Sequence, residues 1–452
     1  MNLGEHLISV VDEGLGNSAY LLDLGDGRAL AVDPPRDLRA LRRAAERRGV
    51  AIAYAADTHL HADFLSGAVQ LAASDGAKIL ASAEGGRQFD HQGLHDGDEL
   101  DLGGLTLQAW ATPGHTDEHL SFLVLDGRTP MGVFSGGSLI VGSAARTDLL
   151  GEGRTIELAH AQYHSLRRLA ALPDATALWP THGAGSFCSA PPGSARTSTI
   201  GAEKAGNKLL AASDADTFTR MLTGLGSYPD YFAWLADANR IGPAVITSEP
   251  ALASLTIDQV QAHLATGAVI VDVRPIRDVA QGHLPGAVSI ALRSQFATWL
   301  GWTIKPDTPI VIVRNPGQDP ADILWPAYNI GYTRFAGELT GGIDAWTVAG
   351  QPLVTTPLVA PDAARGQVLD TRQDSEYAEG HLPNAVHIEL GDLADQASAV
   401  SGEPTVVMCE HGERAMTGAT LLQRNGNLHV SVLDGGARDW AEATGKTLEH
   451  GA

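Results

Sequence analysis

The stretch "AIAYAADTHLHADF", residues 51–64, decides how the N-terminal half of this chain is interpreted. An apolar run, typical of a strand, ends in a polar segment with the spacing His-x-His-x-Asp, which contains His59, His61 and Asp63. Imidazoles two residues apart on one loop can converge on a single iron or zinc ion. Taken alone, the same spacing also fits a surface loop that carries two histidines.

Two further histidines follow predicted strands. The segment "WATPGHTDEHLSF" presents His115 directly after a glycine, and "LWPTHGAGS" presents His182. Three histidine-bearing loops in this order and spacing favour a metal site over a surface loop. The histidines without such a frame are interpreted as ordinary surface or hydrogen-bonded residues; they are His91, His95, His119, His160 and His164.

The motifs "THLHAD", "TPGHT" and "PTHG" resemble the metallo-β-lactamase fold, and within it the glyoxalase II and persulfide dioxygenase branch. The resemblance implies an α/β fold with an αββα sandwich in the N-terminal domain. It also implies His59, His61 and His115 as metal ligands, with Asp63 and His182 as outer or second-site residues.

Composition limits the classes of protein to which this chain can belong. With 452 residues and 44% hydrophobic content, the chain is long enough for about two to four domains. A net charge of −22 with 31 basic residues disfavours nucleic-acid binding, which needs clustered Lys and Arg. Cys188 and Cys409 are too few for a disulfide framework and indicate a reducing cytoplasm. The sequence shows neither a basic leader segment nor a long apolar run, so we expect no membrane association.

An internal repeat fills the C-terminal half. The segment "AVIVDVRPIRDVAQGHLPGAV" at 268–288 returns as "GQVLDTRQDSEYAEGHLPNAV" at 366–386. Each copy alternates β-branched runs with helical stretches, which predicts an α/β domain of about 100 residues with a parallel sheet. We expect three domains, at residues 1–248, 249–356 and 357–452.

The repeated unit resembles a rhodanese domain, because an aspartate at the end of a strand is followed by "GHLP", a Cys-centred loop and a final "GG…W" motif. A metallo-β-lactamase-like domain before two such copies resembles the fusions of persulfide dioxygenase and sulfurtransferase. The resemblance implies an enzyme of sulfur metabolism that takes part in hydrogen sulfide detoxification, and the two cysteines predict a cytoplasmic location.

The second copy carries the clearer chemistry in "CEHGER", residues 409–414. Gly412 permits a tight loop whose N–H groups, together with the following helix N-terminus, favour a thiolate at Cys409. Arg414 is predicted to hold an anionic sulfur donor. The first copy has Arg314 and Asp319 at the positions of the cysteine and the arginine, so we expect it to be a scaffold or docking domain.

Two departures from the family pattern concern the metal. Gly137 replaces the aspartate that the dioxygenase branch uses as an iron ligand, and Phe64 replaces a histidine of two-metal hydrolases. A binuclear zinc hydrolase is therefore poorly supported. We expect one Fe(II) per chain on three histidines, with Zn(II) or no metal as alternatives.

Arg146, in "ARTDL", lies where related dioxygenases contact glutathione, although a surface salt bridge explains it equally well.

Three functions stay open. The leading one is oxidation of a low-molecular-weight persulfide, such as glutathione persulfide, to sulfite, coupled to sulfur transfer at Cys409 with thiosulfate or sulfite as partners. The second is a thioester hydrolase of the glyoxalase II type. The third is a metal-free N-terminal domain that binds persulfide or a partner, with only Cys409 active. The sequence leaves open whether the chain forms a homo-oligomer.

Overall fold

The computed structural model divides the chain into two compact units. The first comprises Met1–Glu249 with Tyr328–Gly331, and the second comprises Pro250–Ala327 with Tyr332–Ala452. None of the helices described is long and apolar enough to cross a membrane. The described residues are 3–188, 195–222, 226–400 and 402–451.

The first unit contains two six-stranded sheets and a small hairpin of β11 and β12. The sheets have the orders β1-β2-β3-β4-β5-β6 and β14-β13-β10-β9-β8-β7. The strands are β1 (Leu7–Asp12), β2 (Asn17–Asp23), β3 (Arg28–Val32), β4 (Ala51–Ala56), β5 (Lys78–Ser82), β6 (Gln92–Leu94), β7 (Glu99–Asp101), β8 (Thr106–Ala111), β9 (Leu120–Asp126), β10 (Thr129–Gly136), β11 (Leu139–Ile140), β12 (Ser143–Ala144), β13 (Ala177–Pro180) and β14 (Ser198–Thr199).

Seven α-helices and three short 3-10 turns complete the described part of this unit. The helices are α1 (Leu3–His6), α2 (Arg39–Arg48), α3 (Ala68–Asp75), α4 (Thr155–Ala170), α5 (Ile200–Gly206), α6 (Ala215–Met221) and α7 (Phe232–Ile241). The 3-10 turns are Ala83–Gly85, Glu152–Arg154 and Lys208–Ala211.

Alternating side chains along the strands build the layers of this unit. Leu22 and Phe134 point into the core between the two sheets. Their neighbours face outward: Leu21 packs with Leu41 of α2, and Val133 packs with Leu166 of α4. Since successive residues of a strand point to opposite faces, the hydrophobic strands bury both sides of each sheet. The predicted αββα sandwich is confirmed.

Strand direction brings several loops to one edge of the second sheet. β8 and β9 are antiparallel, β9 and β10 are antiparallel, and β13 runs parallel to β10. The carboxyl ends of β8, β10 and β13 therefore lie at the same edge. The residues that follow these three strands include His115, Gly137 and His182.

The second unit contains two five-stranded parallel sheets of the same topology, β15-β19-β18-β16-β17 and β20-β24-β23-β21-β22. The first copy consists of β15 (Ser254–Leu255), α8 (Ile257–Ala265), β16 (Val269–Asp272), α9 (Ile276–Gln281), β17 (Val288–Ser289), α10 (Phe296–Thr303), β18 (Ile310–Val313), α11 (Pro320–Asn329), β19 (Phe335–Leu339) and α12 (Gly342–Val348).

The second copy consists of β20 (Leu358–Val359), β21 (Gln367–Asp370), α13 (Asp374–Glu379), β22 (Val386–His387), α14 (Leu393–Gln396), β23 (Thr405–Met408), α15 (Glu413–Arg424), β24 (Val430–Leu433) and α16 (Ala437–Thr444), with 3-10 turns at Pro361–Ala363 and Ala397–Ala399.

The repeated sequence "D-x-R" has the same structural role in both copies. Arg274 donates to Asp272 Oδ2 at 2.6 Å, and Arg372 donates to Asp370 Oδ2 at 2.7 Å. Each arginine also donates to a backbone carbonyl eight residues further along, at 2.8 Å. These buried, charge-assisted contacts tie the end of one strand to the following helix, which explains why the motif is repeated.

Candidate metal centre and cysteine loop

The histidine loops of the first unit converge. His59 and His61 follow β4, His115 follows β8 and His182 follows β13, and each of the four side chains is buried. The ring centroid of His59 lies 4.2 Å from that of His61, 4.9 Å from that of His115 and 5.3 Å from that of His182.

One set of possible ligands in the structure differs from the set expected from the sequence. Ligand atoms of His59, His115 and His182 all lie within 4.8 Å of one another. The Nε2 atoms of His59 and His182 are 3.3 Å apart. His61 falls instead into a buried group with Asp33 and Asp57. The structure thus places His182, expected at a second site, beside His59 and His115.

His61 is held from both sides of its ring. Its Nε2 lies 3.2 Å from Asp33 Oδ1, and its ring stacks on Phe64 with centroids 4.1 Å apart. Nδ1 of His61 is buried and has no hydrogen-bond partner among the described residues. Burial acts to lower the pKa of His61, but the carboxylate of Asp33 outweighs it, so the pKa is raised. Asn239 fixes the loop by donating to the carbonyls of His61 and Phe64, both at 2.8 Å.

Asp33 links the strands beneath the site. Its carboxylate accepts from the Thr58 backbone N–H at 2.7 Å, from the Thr58 hydroxyl at 2.8 Å, and from the Thr181 hydroxyl. Burial acts to raise the pKa of Asp33, but His61 and these donors outweigh it, so the pKa is lowered. Its φ of 49° is a strained backbone angle for a residue with a side chain, which is typical of functional sites.

Asp63 contacts His182 rather than facing open space. Its Oδ2 accepts from Asn17 Nδ2 at 2.8 Å and lies 3.3 Å from His182 Nδ1. Burial acts to raise the pKa of Asp63, but His182 outweighs it, and the pKa falls to about 2. The carboxylate is therefore ionised and able to orient the imidazole of His182.

His115 is oriented by the backbone of Arg146. His115 Nδ1 lies 2.7 Å from the Arg146 carbonyl oxygen, and its backbone N–H donates to Gln162 Oε1 at 2.9 Å. Burial, reinforced by His182, lowers the pKa of His115 to about 3, so this imidazole is neutral.

The Arg146 guanidinium forms an internal ion pair. It donates to Asp148 at 2.6 and 2.8 Å and to the Phe187 carbonyl at 3.1 Å, and it lies 4.3 Å above the Tyr228 ring. The side chain is only 2% exposed, so the alternative of a surface salt bridge is wrong. Contact of Arg146 with a glutathione carboxylate stays a prediction, and it requires these internal bonds to be exchanged.

His119 belongs to the same cluster, although the sequence pattern predicts a surface or an ordinary hydrogen-bonded position for it. The side chain is buried, and its ring stacks on His59 with centroids 5.1 Å apart. Its Nε2 accepts from the Gly137 backbone N–H at 3.0 Å, and its Nδ1 lies 2.9 Å from the Thr112 hydroxyl. A surface location for His119 is therefore wrong, and the hydrogen-bonded alternative fits. The signal available in the sequence was its closeness to "TPGH".

Gly137 has no side chain, and the His115 ring occupies the space beside it. A Cβ at position 137 would lie 2.3 Å from His115 Cδ2, closer than real Cβ atoms approach any neighbour. The preceding residue, Gly136, is the one with a positive φ, at 56°. A side chain at position 137, such as the expected aspartate, would therefore require the His115 ring to move.

Cys188 lies at the edge of this cluster. It is fully buried, and its sulfur lies within 4.8 Å of possible ligand atoms of Asp63 and His182. Burial raises the pKa of the Cys188 thiol well above its usual value, and Asp63 adds to this effect. Without a bound cation, Cys188 is therefore a neutral thiol and a poor nucleophile.

The residues present fit a metal ion. Burial lowers the pKa of His59 well below its usual range, as it does that of His115, so both imidazoles are neutral ligands. Nε2 of His115 is buried without a hydrogen-bond partner in the described part of the chain. Neutral imidazoles suit iron and zinc, and a buried nitrogen lone pair that no donor satisfies is available to bind a cation.

Cys409 follows β23 at the start of a loop that leads into α15. The Gly412 backbone N–H donates to Cys409 Sγ at 3.1 Å, and Gly412 has a φ of 92°, which glycine adopts readily. The side chain of Cys409 is 1% exposed. The loop therefore points a backbone donor at the sulfur, as expected of an anion cradle.

Arg414 is already paired in the folded chain. It donates to both carboxylate oxygens of Glu376, at 2.6 and 2.7 Å, and its guanidinium lies 5.5 Å from the ring centroid of Trp299 in the first repeat. Arg414 is thus fixed beside the cysteine loop, with much of its charge neutralised by Glu376.

The first repeat fills the corresponding loop with an ion pair. Arg314 donates to both carboxylate oxygens of Glu338, at 2.5 and 3.0 Å. Asp319 accepts from the Ala321 backbone N–H at 2.9 Å, at the start of α11. Both replacements stabilise the loop and its helix, and neither supplies a nucleophile.

Comparisons with known proteins agree with this architecture. A family model described as "Rhodanese-like domain" matches residues 256–349 and 358–443. A hydroxyacylglutathione hydrolase of Acidiphilium cryptum is 35% identical over 171 residues, which cover 37% of this chain and 64% of that protein. The human protein named "Persulfide dioxygenase ETHE1, mitochondrial" is 30% identical over 172 residues, covering 36% and 62%. The chain thus spans about three fifths of the length of these curated relatives.

A solved structure matches a longer part of the chain. The crystal structure of a metallo-β-lactamase from Staphylococcus aureus subsp. aureus COL has a TM-score of 0.66 and 30% identity, and covers 74% of this chain and 98% of that one. The chain therefore belongs to the metallo-β-lactamase-fold family. Its N-terminal part is homologous to the glyoxalase II and persulfide dioxygenase branch, and two rhodanese-like domains follow.

Proposed function

We propose that this chain is an enzyme of sulfur metabolism with two centres. The cysteine loop transfers sulfane sulfur, and the histidine cluster oxidises a low-molecular-weight persulfide, such as glutathione persulfide, to sulfite. The observation that carries the proposal is the Cys409 sulfur, which accepts a hydrogen bond from Gly412 N–H at 3.1 Å at the start of α15.

This geometry supports sulfur transfer at Cys409. The Cys409 thiolate attacks the terminal sulfur of a persulfide or thiosulfate, which forms the S–S bond of a cysteine persulfide and releases a thiolate or sulfite. An acceptor thiolate or cyanide then attacks the outer sulfur and regenerates the Cys409 thiolate. The Gly412 N–H and the N-terminus of α15 stabilise the negative charge on sulfur in both steps.

In the first unit, the residues that would hold the metal are His59 and His115 with a third imidazole. A bound iron ion would supply coordination positions for O2 and for the persulfide sulfur. The Arg146 carbonyl fixes the ring of His115, and the Thr58 hydroxyl lies 2.8 Å from Nδ1 of His59. Because the cluster is buried, these residues also limit the access of water to a reactive sulfur species.

A thioester hydrolase of the glyoxalase II type is the second candidate. It is favoured by the similarity to hydroxyacylglutathione hydrolases. It is disfavoured by Phe64, which occupies a ligand position next to His61, and by Asp63, whose Oδ2 is engaged with Asn17 and His182. A two-metal site needs these positions as ligands.

Metal analysis combined with two assays separates the candidates. Protein purified without chelators is analysed for iron and zinc, then tested for oxygen uptake with glutathione persulfide and for hydrolysis of a hydroxyacylglutathione. Equimolar iron with oxygen uptake supports the dioxygenase. Two zinc ions with thioester hydrolysis support the hydrolase. A metal-free protein that keeps sulfurtransferase activity leaves Cys409 as the active centre. We propose the cytoplasm as its location, because both cysteines are free thiols.

A further inference from the structure

We infer that His182 replaces the missing carboxylate, so that the metal is held by three imidazoles from His59, His115 and His182. Asp63 then orients His182 and does not bind metal itself. This inference rests on the proposed metal site and defines its ligand set. It departs from the expectation that His61 is the third ligand.

The hydrogen bonds of Thr58 determine which nitrogen of His59 is free. The Thr58 hydroxyl lies 2.8 Å from Asp33 Oδ2 and 2.8 Å from His59 Nδ1. An ionised carboxylate only accepts hydrogen bonds, so the single hydroxyl proton points to Asp33. The hydroxyl oxygen then accepts a hydrogen bond from His59 Nδ1, which carries the proton. The lone pair of His59 is therefore on Nε2.

The hydrogen-bond partners of His182 also determine which of its ring nitrogens carries the proton. Asn17 donates through Nδ2 to Asp63 at 2.8 Å, which turns its Oδ1 toward His182 Nδ1 at 3.0 Å. Asp63 Oδ2 lies 3.3 Å from the same nitrogen. Both neighbours of Nδ1 are acceptors, so Nδ1 carries the proton and Nε2 carries the lone pair. A carboxylate behind a histidine is the usual support of a metal-bound imidazole.

His115 supplies the third lone pair. Its Nδ1 faces the Arg146 carbonyl oxygen at 2.7 Å and must donate to it. Its Nε2 is left as an acceptor, and it has no donor among the described residues.

The distance between two of these lone pairs indicates a cation site. The Nε2 atoms of His59 and His182 face each other at 3.3 Å, and neither carries a proton that the other can accept. Two such lone pairs repel unless a cation lies between them. In a tetrahedral site with metal–nitrogen bonds of about 2.0–2.1 Å, two ligand nitrogens are about 3.3–3.4 Å apart. The observed separation therefore matches one edge of such a site.

His61 lies outside this set for a structural reason. Its Nε2 is paired with Asp33 at 3.2 Å. Its Nδ1 is buried without a hydrogen-bond partner among the described residues, but the possible ligand atoms of His61 group within 4.8 Å with those of Asp33 and Asp57, and not with those of His59, His115 and His182. Gly137, with no Cβ, leaves the His115 ring the space it occupies beside His182. Because all three proposed ligands are neutral, the metal keeps its full charge of +2, which favours an anionic persulfide as the fourth ligand.

Cobalt(II) binding followed by the visible spectrum tests the ligand set without reliance on activity. The wild type is compared with His182→Gln, His61→Gln, Asp63→Asn and the exposed control His164→Gln. We expect His182→Gln to weaken Co(II) binding by more than about 100-fold and to change the spectrum. Asp63→Asn should weaken it by about 10-fold while the spectrum is kept, because only the support of a ligand is lost. His61→Gln and the control should retain binding.

Thermal unfolding without metal shows whether each variant is folded. If His61→Gln abolishes Co(II) binding while a folded His182→Gln retains it, the inference is overturned and the proposed oxygenase keeps its original ligand set. If the wild type binds neither cobalt, iron nor zinc, both the inference and the proposed metal centre fail, and only the function of Cys409 remains.

Discussion

At the scale of single residues, Cys409 gives the sharpest prediction. Cys409→Ser should abolish cyanide-dependent sulfur transfer from thiosulfate or persulfide, because a serine hydroxyl is not ionised at neutral pH and cannot carry sulfane sulfur. Oxygen uptake with glutathione persulfide should be unchanged. Cys188→Ser, a cysteine in the other unit, is the matched control and should keep sulfurtransferase activity. Full transfer activity in Cys409→Ser would remove the assignment.

Gly137 gives a second residue-scale prediction. In Gly137→Ala the new Cβ would lie 2.3 Å from His115 Cδ2, so the ring must move. We expect a loss of about 1–3 kcal/mol in the free energy of unfolding and a lower metal content. Calorimetry and metal analysis measure both. Gly206→Ala, whose Cβ would meet no atom within 4 Å, is the control and should be neutral. Unchanged metal content in Gly137→Ala would place His115 outside the ligand set.

How far the sequence predicts the histidine cluster depends on side-chain direction. The spacing after β4, β8 and β13 predicts which loops carry histidines, because strand ends gather at one edge. It does not say that Asp33 pairs with His61 or that Asp63 lies behind His182, since these partners are distant along the chain. For the same reason, the buried position of His119 depends on a contact with Gly137 that no local pattern reveals.

At the scale of secondary-structure elements, Glu376 connects α13 to the start of α15. Both oxygens of its carboxylate accept hydrogen bonds from Arg414. The carboxylate also accepts a hydrogen bond of 3.1 Å from the Gln373 backbone N–H at the start of α13. Burial acts to raise the pKa of Glu376, but Arg414 outweighs it, and the pKa is lowered from its ordinary value of 4.5.

Glu376→Gln should therefore lower the melting temperature and the rate of sulfur transfer. A carboxyl group with a lowered pKa stabilises the fold above its ordinary pKa, and this stabilisation is lost as the pH falls through the lowered value. The difference in melting temperature between wild type and variant should be full well above the ordinary pKa of 4.5 and should shrink as the pH is lowered below it. A difference that grows with acidity would contradict this account. Gln396→Glu, at the end of α14, is a control for an unrelated charge change.

The elements themselves follow closely from the sequence in the repeated half. The two copies of "D-x-R" and "GHLP" predict two identical parallel sheets, and this prediction is confirmed by the shared strand order. The two-residue strands β11, β12 and β14 of the first unit have no repeated motif that predicts them, and so short a pairing depends on neighbours supplied by the rest of the fold.

At the scale of the whole molecule, the first repeat contributes a contact to the second. Trp299 lies under the Arg414 guanidinium at 5.5 Å, whereas Arg314 and Glu338 form their own pair inside the first repeat. The sequence suggested a scaffold or docking domain without a specific role, because a contact between the two copies leaves no trace in the pattern of either.

Two variants of the first repeat should therefore behave differently. Trp299→Ala removes a cation–π contact worth about 0.5–2 kcal/mol and should raise the KM for the sulfur donor or lower kcat by several-fold. Arg314→Ala should lower the free energy of unfolding by about 1–3 kcal/mol through the lost ion pair, and leave turnover of the folded enzyme unchanged. Steady-state kinetics and calorimetry measure both. Equal kinetic losses in the two variants would mean that the first repeat acts only through stability.

The burial of both cysteines has a practical consequence for chemical surveys of thiols. The side chains of Cys188 and Cys409 are 0% and 1% exposed, so a bulky reagent such as Ellman's reagent should label the native chain slowly and release two equivalents only after denaturation. Small electrophiles that enter the loop should modify Cys409 much faster than Cys188, whose thiol is neutral. A proteome-wide labelling experiment with large probes would therefore count this sulfur-handling protein among the unreactive ones.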